Sequence, residues 1–335
     1  MILDKLLFDN ISILGKSFLI ESGLTDIPQN IHEMNKFLET VKENIESNSF
    51  KGALFADILF SFVTDISIRD RNTTSRVFED IFSALFSMKS TDVESRQNPP
   101  VNDEIKKLDS LCTTLDWKIS TDLSGNKREK SDLSLGLYEI SLKTLKGKTY
   151  DENYMIIDNN DNKELNVGSL SYRALLKGII DDEKLKSLSD RKSGLGSGKQ
   201  LRENIFDPIK SINKEKDFYD RLKLFLEYVY TDDLYIVLKS HYRIDFILIP
   251  NDTFVNTLTD LYKENEDKFH EVFYRWENNN LRIHWIKLKS YMEKYCRDFY
   301  HLDMDLSCRI ENDELVKFKC AINENIESIL KSKKL

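Results

Sequence analysis

An aspartate, a serine and a lysine stand at positions 132, 141 and 143 of the stretch SDLSLGLYEISLKT (131–144). A carboxylate, a hydroxyl and an ammonium in one short alternating segment are equipment for phosphodiester hydrolysis. Carboxylate oxygens hold Mg²⁺, the ion polarises a phosphoryl oxygen, and an ammonium orients the attacking water and offsets negative charge in the transition state. Whether Asp132, Ser141 and Lys143 meet depends on the turn between them. A Leu135-Gly136 turn would ask a bulky leucine for a positive φ, which its Cβ resists. A Gly136-Leu137 turn places glycine at the first central position of a type II′ turn, where it belongs. That register sets Asp132 opposite Ser141, with Cβ atoms about 5 Å apart, and Ser134 opposite Glu139. Alternation then puts Asp132, Glu139, Ser141 and Lys143 on one face, and Ile140 and Leu142 on the other. A plain solvated hairpin, polar outside and apolar inside, has the same pattern.

An acid on one strand, followed by a residue-x-lysine on the next, resembles the PD-(D/E)XK nuclease superfamily, and within it the type II restriction endonucleases. The resemblance covers about residues 75–150 and departs from the family in two places: Ser131 stands where proline is common, and Ser141 replaces the second acid. The missing carboxylate must come from elsewhere. Glu79, in SRVFEDIF, occupies the helical position from which the family often supplies one, and Glu139 is the reserve. The resemblance implies a restriction-endonuclease-like core and Mg²⁺ as cofactor, held by Asp132 and Glu79. It further implies that Ser141 helps place the ion or its water, and that Lys143 acts at the attacking water. The implied activity is site-specific cleavage of double-stranded DNA at a short sequence, by a homodimer if that sequence is palindromic. A nuclease-like fold used only for binding DNA is the alternative, with Ser141 marking lost metal affinity.

Two further segments offer contacts to a nucleic acid. In SGLGSGKQ (193–200) a glycine-rich turn can present N–H groups to a phosphate, with Lys192, Lys199 and Arg202 nearby. It is no nucleoside-triphosphate loop: Ser193 takes the place of the first glycine and Gln200 that of the Mg²⁺-binding hydroxyl. A nucleotide-dependent switch is therefore ranked below both other readings, and no nucleotide cofactor is expected. From Lys184 to Lys216 nine Lys/Arg face four Asp/Glu, an excess of five in a chain of net charge −8. The hairpin YRWENNNLRIHW brings Arg275, Asn278, Asn279, Asn280, Arg282 and His284 together. Asn and Arg read adenine and guanine in a major groove that admits a two-stranded ribbon, but three asparagines also make a good turn.

These groups need a scaffold, and the 335 residues suffice for one large domain or two ordinary ones. Hydrophobic content of 40% and charged content of 32% describe a globular chain, and no run approaches a membrane span. An N-terminus with acids in its apolar run lacks the form of a signal peptide. Four scattered cysteines without a C-x-x-C pair fit reduced thiols and a cytoplasmic location, not zinc or a disulfide frame. The five histidines show no metal or triad spacing.

Residues 1–90 read as helical: Met34, Phe37, Leu38, Val41 and Ile45 keep a 3.6-residue rhythm, 53–63 is a buried helix, and another helix starts at Thr74 or Ser75. From Trp117 the period becomes two, predicting strands in WKISTDLSG, SDLSL, LYEISLKT and NYMIID. A helix is expected over 170–180 and another over 217–230, then strands LYIVLK and IDFILIP, the Asn-rich hairpin with a helix after it, and a tail of hairpin plus helix. The pattern is an α/β (α+β layered) fold, a central mixed sheet flanked by helices. Three parts are expected: a helical 1–100, a sheet core with the glycine-rich basic loop over 101–215, and an α/β continuation over 216–335 that carries the DNA-contact hairpin. All three could form a single domain.

Overall fold

The computed structural model describes residues 5–69, 74–88, 103, 132–146, 149–150, 156–158, 164–169, 175–189, 196–197, 199–239, 242–264, 269, 271–277, 280–295 and 297–332. Four helices come first: α1 (Lys5–Glu21), α2 (Ile31–Glu46), α3 (Phe50–Arg69) and α4 (Thr74–Leu85). The expected stripe of α2 is buried along its length, and α4 starts at Thr74. Gly15 lets α1 and α4 cross closely, since a Cβ there would meet the Leu85 carbonyl oxygen at 1.8 Å.

A five-stranded sheet follows, in the order β1 (Leu133–Leu135), β2 (Tyr138–Lys146), β7 (Asp233–Lys239), β8 (Arg243–Ile249), β11 (Tyr300–Asp305). It is mixed: β2 and β7 run parallel, and the other pairs are antiparallel. A second sheet, all antiparallel, has the order β5 (Glu164–Ser169), β10 (Asn280–His284), β9 (Phe273–Glu277), β6 (Gly196–Ser197). A two-stranded piece pairs β3 (Thr149–Tyr150) with β4 (Ile156–Asp158).

Among the described residues the further helices are α5 (Asp182–Ser189), α6 (Lys199–Leu201), a π-turn (Arg202–Phe206), α7 (Asp207–Ser211), α8 (Glu215–Val229), α9 (Asn251–Glu264), α10 (Trp285–Lys294), α11 (Cys308–Glu311) and α12 (Asp313–Ser332). Among the described residues no helix is long and apolar enough to cross a membrane.

The central sheet separates two apolar cores. One holds Leu133, Leu135, Ile140, Leu142, Tyr235, Val237 and Phe246 against α1–α4. The other holds Leu145, Leu234, Ile236, Leu238, Ile247 and Ile249 against α8 and α9, and also takes Phe273 and Ile283 from the second sheet. The second sheet therefore lies over the face of the first sheet that α1–α4 do not cover.

Three local expectations are corrected. Of the helix expected over 170–180, the described part, 175–180, is a single turn ended by Gly178, whose φ of +70 takes the chain out of helical geometry. The hairpin expected in LSCRIENDELVKFKCA is helix, α11 then α12. Asn312 caps α12 by accepting a hydrogen bond from the Leu315 N–H at 2.8 Å, and one cap plus a long polar run favours helix over ladder. The strand β11 was not foreseen: only Leu302 and Met304 of YHLDMD face the core, too few for a clear alternation. The segment WKISTDLSG lies outside the described residues.

Candidate active site

The β1–β2 hairpin turns at Gly136-Leu137, and Gly136 has a φ of +71. The ladder pairs Leu133 with Ile140, Ser134 with Glu139 and Leu135 with Tyr138, the register expected from the glycine. The Asp132 N–H continues it by donating to the Ile140 carbonyl at 3.0 Å. Leu133, Leu135, Ile140 and Leu142 are buried against the helical layer, so their alternating neighbours point to the other side of the sheet.

On that side three donors converge on one oxygen of Asp132. The Leu142 N–H donates to Oδ2 at 2.7 Å, Lys143 Nζ at 2.9 Å and Ser141 Oγ at 3.4 Å. The Asp132 and Lys143 side chains are 20% and 32% exposed, so the pair stands at the edge of solvent with one side walled by the sheet. Charge-assisted bonds of this kind are short and orient both partners. Strand β7 supplies the wall: Ser141 is in register with Leu234, and Lys143 with Ile236.

Glu139 is half-buried on the same face, one pair nearer the turn and opposite Ser134. Glu79 lies on α4, whose Val77, Phe78, Ile81 and Phe82 fill the core on the opposite face of the sheet. Among the described residues no group of three or more His, Cys, Asp or Glu side chains is placed to hold a metal ion. The structure thus brings Asp132, Ser141 and Lys143 together and does not gather Glu79 and Glu139 with Asp132 into a carboxylate trio. Mg²⁺ does not require one, because it is commonly held by one or two carboxylates plus water and substrate phosphate. The hard oxygens of Asp132 and Ser141, 3.4 Å apart beside an ammonium, fit that chemistry.

Sequence reasoning missed a polar network on the opposite face of the same hairpin. The Tyr138 hydroxyl donates to Asp233 Oδ2 at 2.8 Å and lies 2.6 Å from the Tyr235 hydroxyl, while the Asn251 N–H donates to Asp233 Oδ1 at 3.0 Å. Burial pushes the Asp233 carboxyl above the usual carboxylate range against the pull of its hydrogen bonds, and burial raises both phenols. The signal available was Asp233 at the head of an otherwise apolar strand.

The basic and Asn-rich segments meet in the second sheet. β6, from the glycine-rich stretch, pairs with β9: Gly196 faces Trp276 and Ser197 faces Arg275. Arg275 faces Arg282 on β10, and Arg282 faces Asn166 on β5. These polar positions are in register across four strands, with Arg275 and Arg282 directly opposite each other. Lys199 and Arg202 are exposed and lie near helical acids, Lys199 with Glu203 at 3.5 Å and Arg202 with Asp207 at 3.3 Å. His284 caps α10, its Nδ1 accepting from the Lys287 N–H at 3.4 Å. Lys192, Asn278 and Asn279 lie outside the described residues, and of Asn280 only the backbone is described.

No family model matches the chain, and no solved structure matches it. Among curated proteins it is similar to the CRISPR-associated endoribonuclease Cas13a of Leptotrichia shahii, at 23% identity over 287 residues, 81% of this chain. The chain spans 20% of that relative's length.

Proposed function

We propose that the chain is a nuclease that hydrolyses phosphodiester bonds at the Asp132–Ser141–Lys143 cluster. The observation that carries this reading is the convergence of Lys143 Nζ, Ser141 Oγ and the Leu142 N–H on one Asp132 oxygen at an open sheet face. Similarity to an endoribonuclease supports the reaction class, and the resemblance to type II restriction endonucleases supports the finer reading. In that reading the fold is a restriction-endonuclease-like core and the substrate is double-stranded DNA, cut at a short sequence by a homodimer.

Asp132 would hold Mg²⁺, with Glu139, on the same face of the hairpin, as the second acid in place of Glu79, whose helix packs on the opposite face. When bound, the ion supplies Lewis-acid activation of the phosphate and of water. The chain's own residues account for the rest. The β1–β2 ladder fixes Asp132, Ser141 positions an oxygen beside it, and Lys143 places an ammonium where charge develops on the phosphoryl oxygens. Arg275 and Arg282, on the sheet covering the same face, would hold the backbone with Lys192, Lys199 and Arg202, and Asn278, Asn279 and Asn280 would touch bases. A second reading, a binding protein of nuclease-like fold, is favoured by Ser141, which leaves one carboxylate where the family pattern has two.

The test is incubation of the purified chain with phage DNA, and separately with RNA, in Mg²⁺ or in EDTA, beside Lys143→Ala. Discrete Mg²⁺-dependent DNA fragments, lost at least about 100-fold in the variant, are expected. Cleavage of RNA alone would move the substrate class toward that of the relative. Retarded but uncut DNA would favour the binding reading. Equal cleavage by wild type and variant would remove the site assignment.

A further inference from the structure

A second concave site lies away from the hairpin, where the π-turn, α8 and α9 meet. It is a cavity of about 350 Å³ with aromatic walls and a cationic rim. Tyr262 is fixed from behind by Phe218 and Phe269, with ring centroids at 5.2 and 5.0 Å. The Tyr219 ring lies nearly parallel to it, 18° between planes and 6.4 Å between centroids. Phe206 closes the wall, its centroid 6.0 Å from that of Tyr262. At the rim stand Lys210, Lys216 and Lys263, all exposed, with Glu215 among them and Asp220 beside Lys216. Lys263 Nζ sits 5.9 Å from the centre of the Tyr219 ring, and Lys216 is held to Asp220 at 2.5 Å.

We infer that this cavity binds a nucleotide, its base stacked on Tyr219 and Tyr262 and its phosphate met by the lysine rim. The volume is that of a small-molecule site. Two near-parallel tyrosine faces suit a planar ring, because a base stacks on an aromatic side chain whatever its sequence. Three ammonium groups around those faces suit an anion attached to the ring, and a lysine already over a π-face strengthens the same platform. The nucleotide can be a free molecule or one unit of a single-stranded chain.

This inference does not rest on the hydrolytic reading, because its test is of binding and is run in EDTA, where Mg²⁺-dependent cleavage cannot occur. Titrate the full chain with adenosine 5′-monophosphate, a ten-residue oligodeoxyadenylate, ribose 5-phosphate and inorganic phosphate, following tyrosine fluorescence and calorimetric heat. The nucleotide is expected to bind about tenfold or more tightly than ribose phosphate. Tyr219→Ala and Lys263→Glu should each weaken it by about tenfold, whereas Tyr219→Phe should keep it. Thermal midpoints near that of the wild type show that these variants are folded. Tighter binding of the oligonucleotide than of the mononucleotide identifies a polynucleotide as the source, and equal binding identifies a free nucleotide. Phosphate or ribose phosphate binding as well as the nucleotide overturns the proposal. So does binding unchanged in Tyr219→Ala, or no binding of any probe at millimolar concentration.

Discussion

The two faces of the β1–β2 hairpin differ in both polarity and cover. One face, with Leu133, Leu135, Ile140 and Leu142, is sealed by the N-terminal helices. The other carries Asp132, Ser134, Glu139, Ser141 and Lys143, all half-buried, with Asp132 and Lys143 joined to each other. Between its end residues Asp233 and Lys239 the adjacent strand β7 is buried in an apolar core on both faces, because α8 and α9 cover the side that the hairpin leaves open. Polarity on the hairpin's open face therefore marks where helical cover stops, whereas the polar groups of the sealed face, Tyr138, Asp233 and Tyr235, are bonded to one another. An ammonium on each side makes the point. Lys143 has a carboxylate partner on the open face, whereas Lys239, which alternation places on the sealed face at the end of β7, is 8% exposed. Burial pushes its ammonium down to about 8.

Breaking the sealed face should have the largest effect. Ile140→Ala removes a fully buried side chain and should cost about 2–5 kcal/mol of stability, read as a lower denaturant midpoint. The lysine contrast can be sharpened by pH. The folded pKa of Lys239 lies below that of the unfolded chain, so between about pH 8 and 10 the unfolded state binds the extra proton. Unfolding free energy should therefore rise with pH in that window, by at most about 1.4 kcal/mol per pH unit. Lys239→Met should flatten that rise and stabilise the protein at pH 7, as seen in melts across the range. On the open face, Asp132→Ala leaves the Lys143 ammonium and the Leu142 N–H without this acceptor. The expected loss is about 1–3 kcal/mol, together with loss of any hydrolytic activity, measured by melting and by nuclease assay. The smallest effect should come from Gly136→Ala. Among the described residues a Cβ there meets only Gln29 Oε1 at 3.9 Å, so the expected cost is that of the positive φ, about 1–2 kcal/mol by calorimetry.

The hairpin was readable because its information is local: one glycine chooses the turn, the turn chooses the register, and period-two alternation assigns the faces. The N-terminal helices were readable for the same reason, since each carries its own apolar stripe. What was not readable depends on distant partners. Nothing around Ser197 announces that Gly196-Ser197 becomes an edge strand against Trp276 and Arg275. Asp233 reads as a loop acid until Tyr138 and Asn251 are brought to it. The tyrosine-lined cavity joins residues 206, 219 and 262, each of which looks like ordinary helix surface or core by itself.

The parallel pairing of β2 with β7 also orders events in time. The Asp132–Lys143 contact closes within one hairpin, a step of about 1–10 μs once its residues exist. Its neighbour β7 begins at Asp233, about 90 residues further along the chain than Ile140. At ribosomal elongation rates of 5–20 residues per second that strand arrives on the order of 5–20 s later. The helices that seal the hairpin's apolar face precede it in the chain and are already made. The nascent protein can thus lay the hairpin on α1–α4 while the second core is still unsynthesised. In that order, the Asp132–Ser141–Lys143 cluster is set out first, and the walls around it are added by the chain that follows.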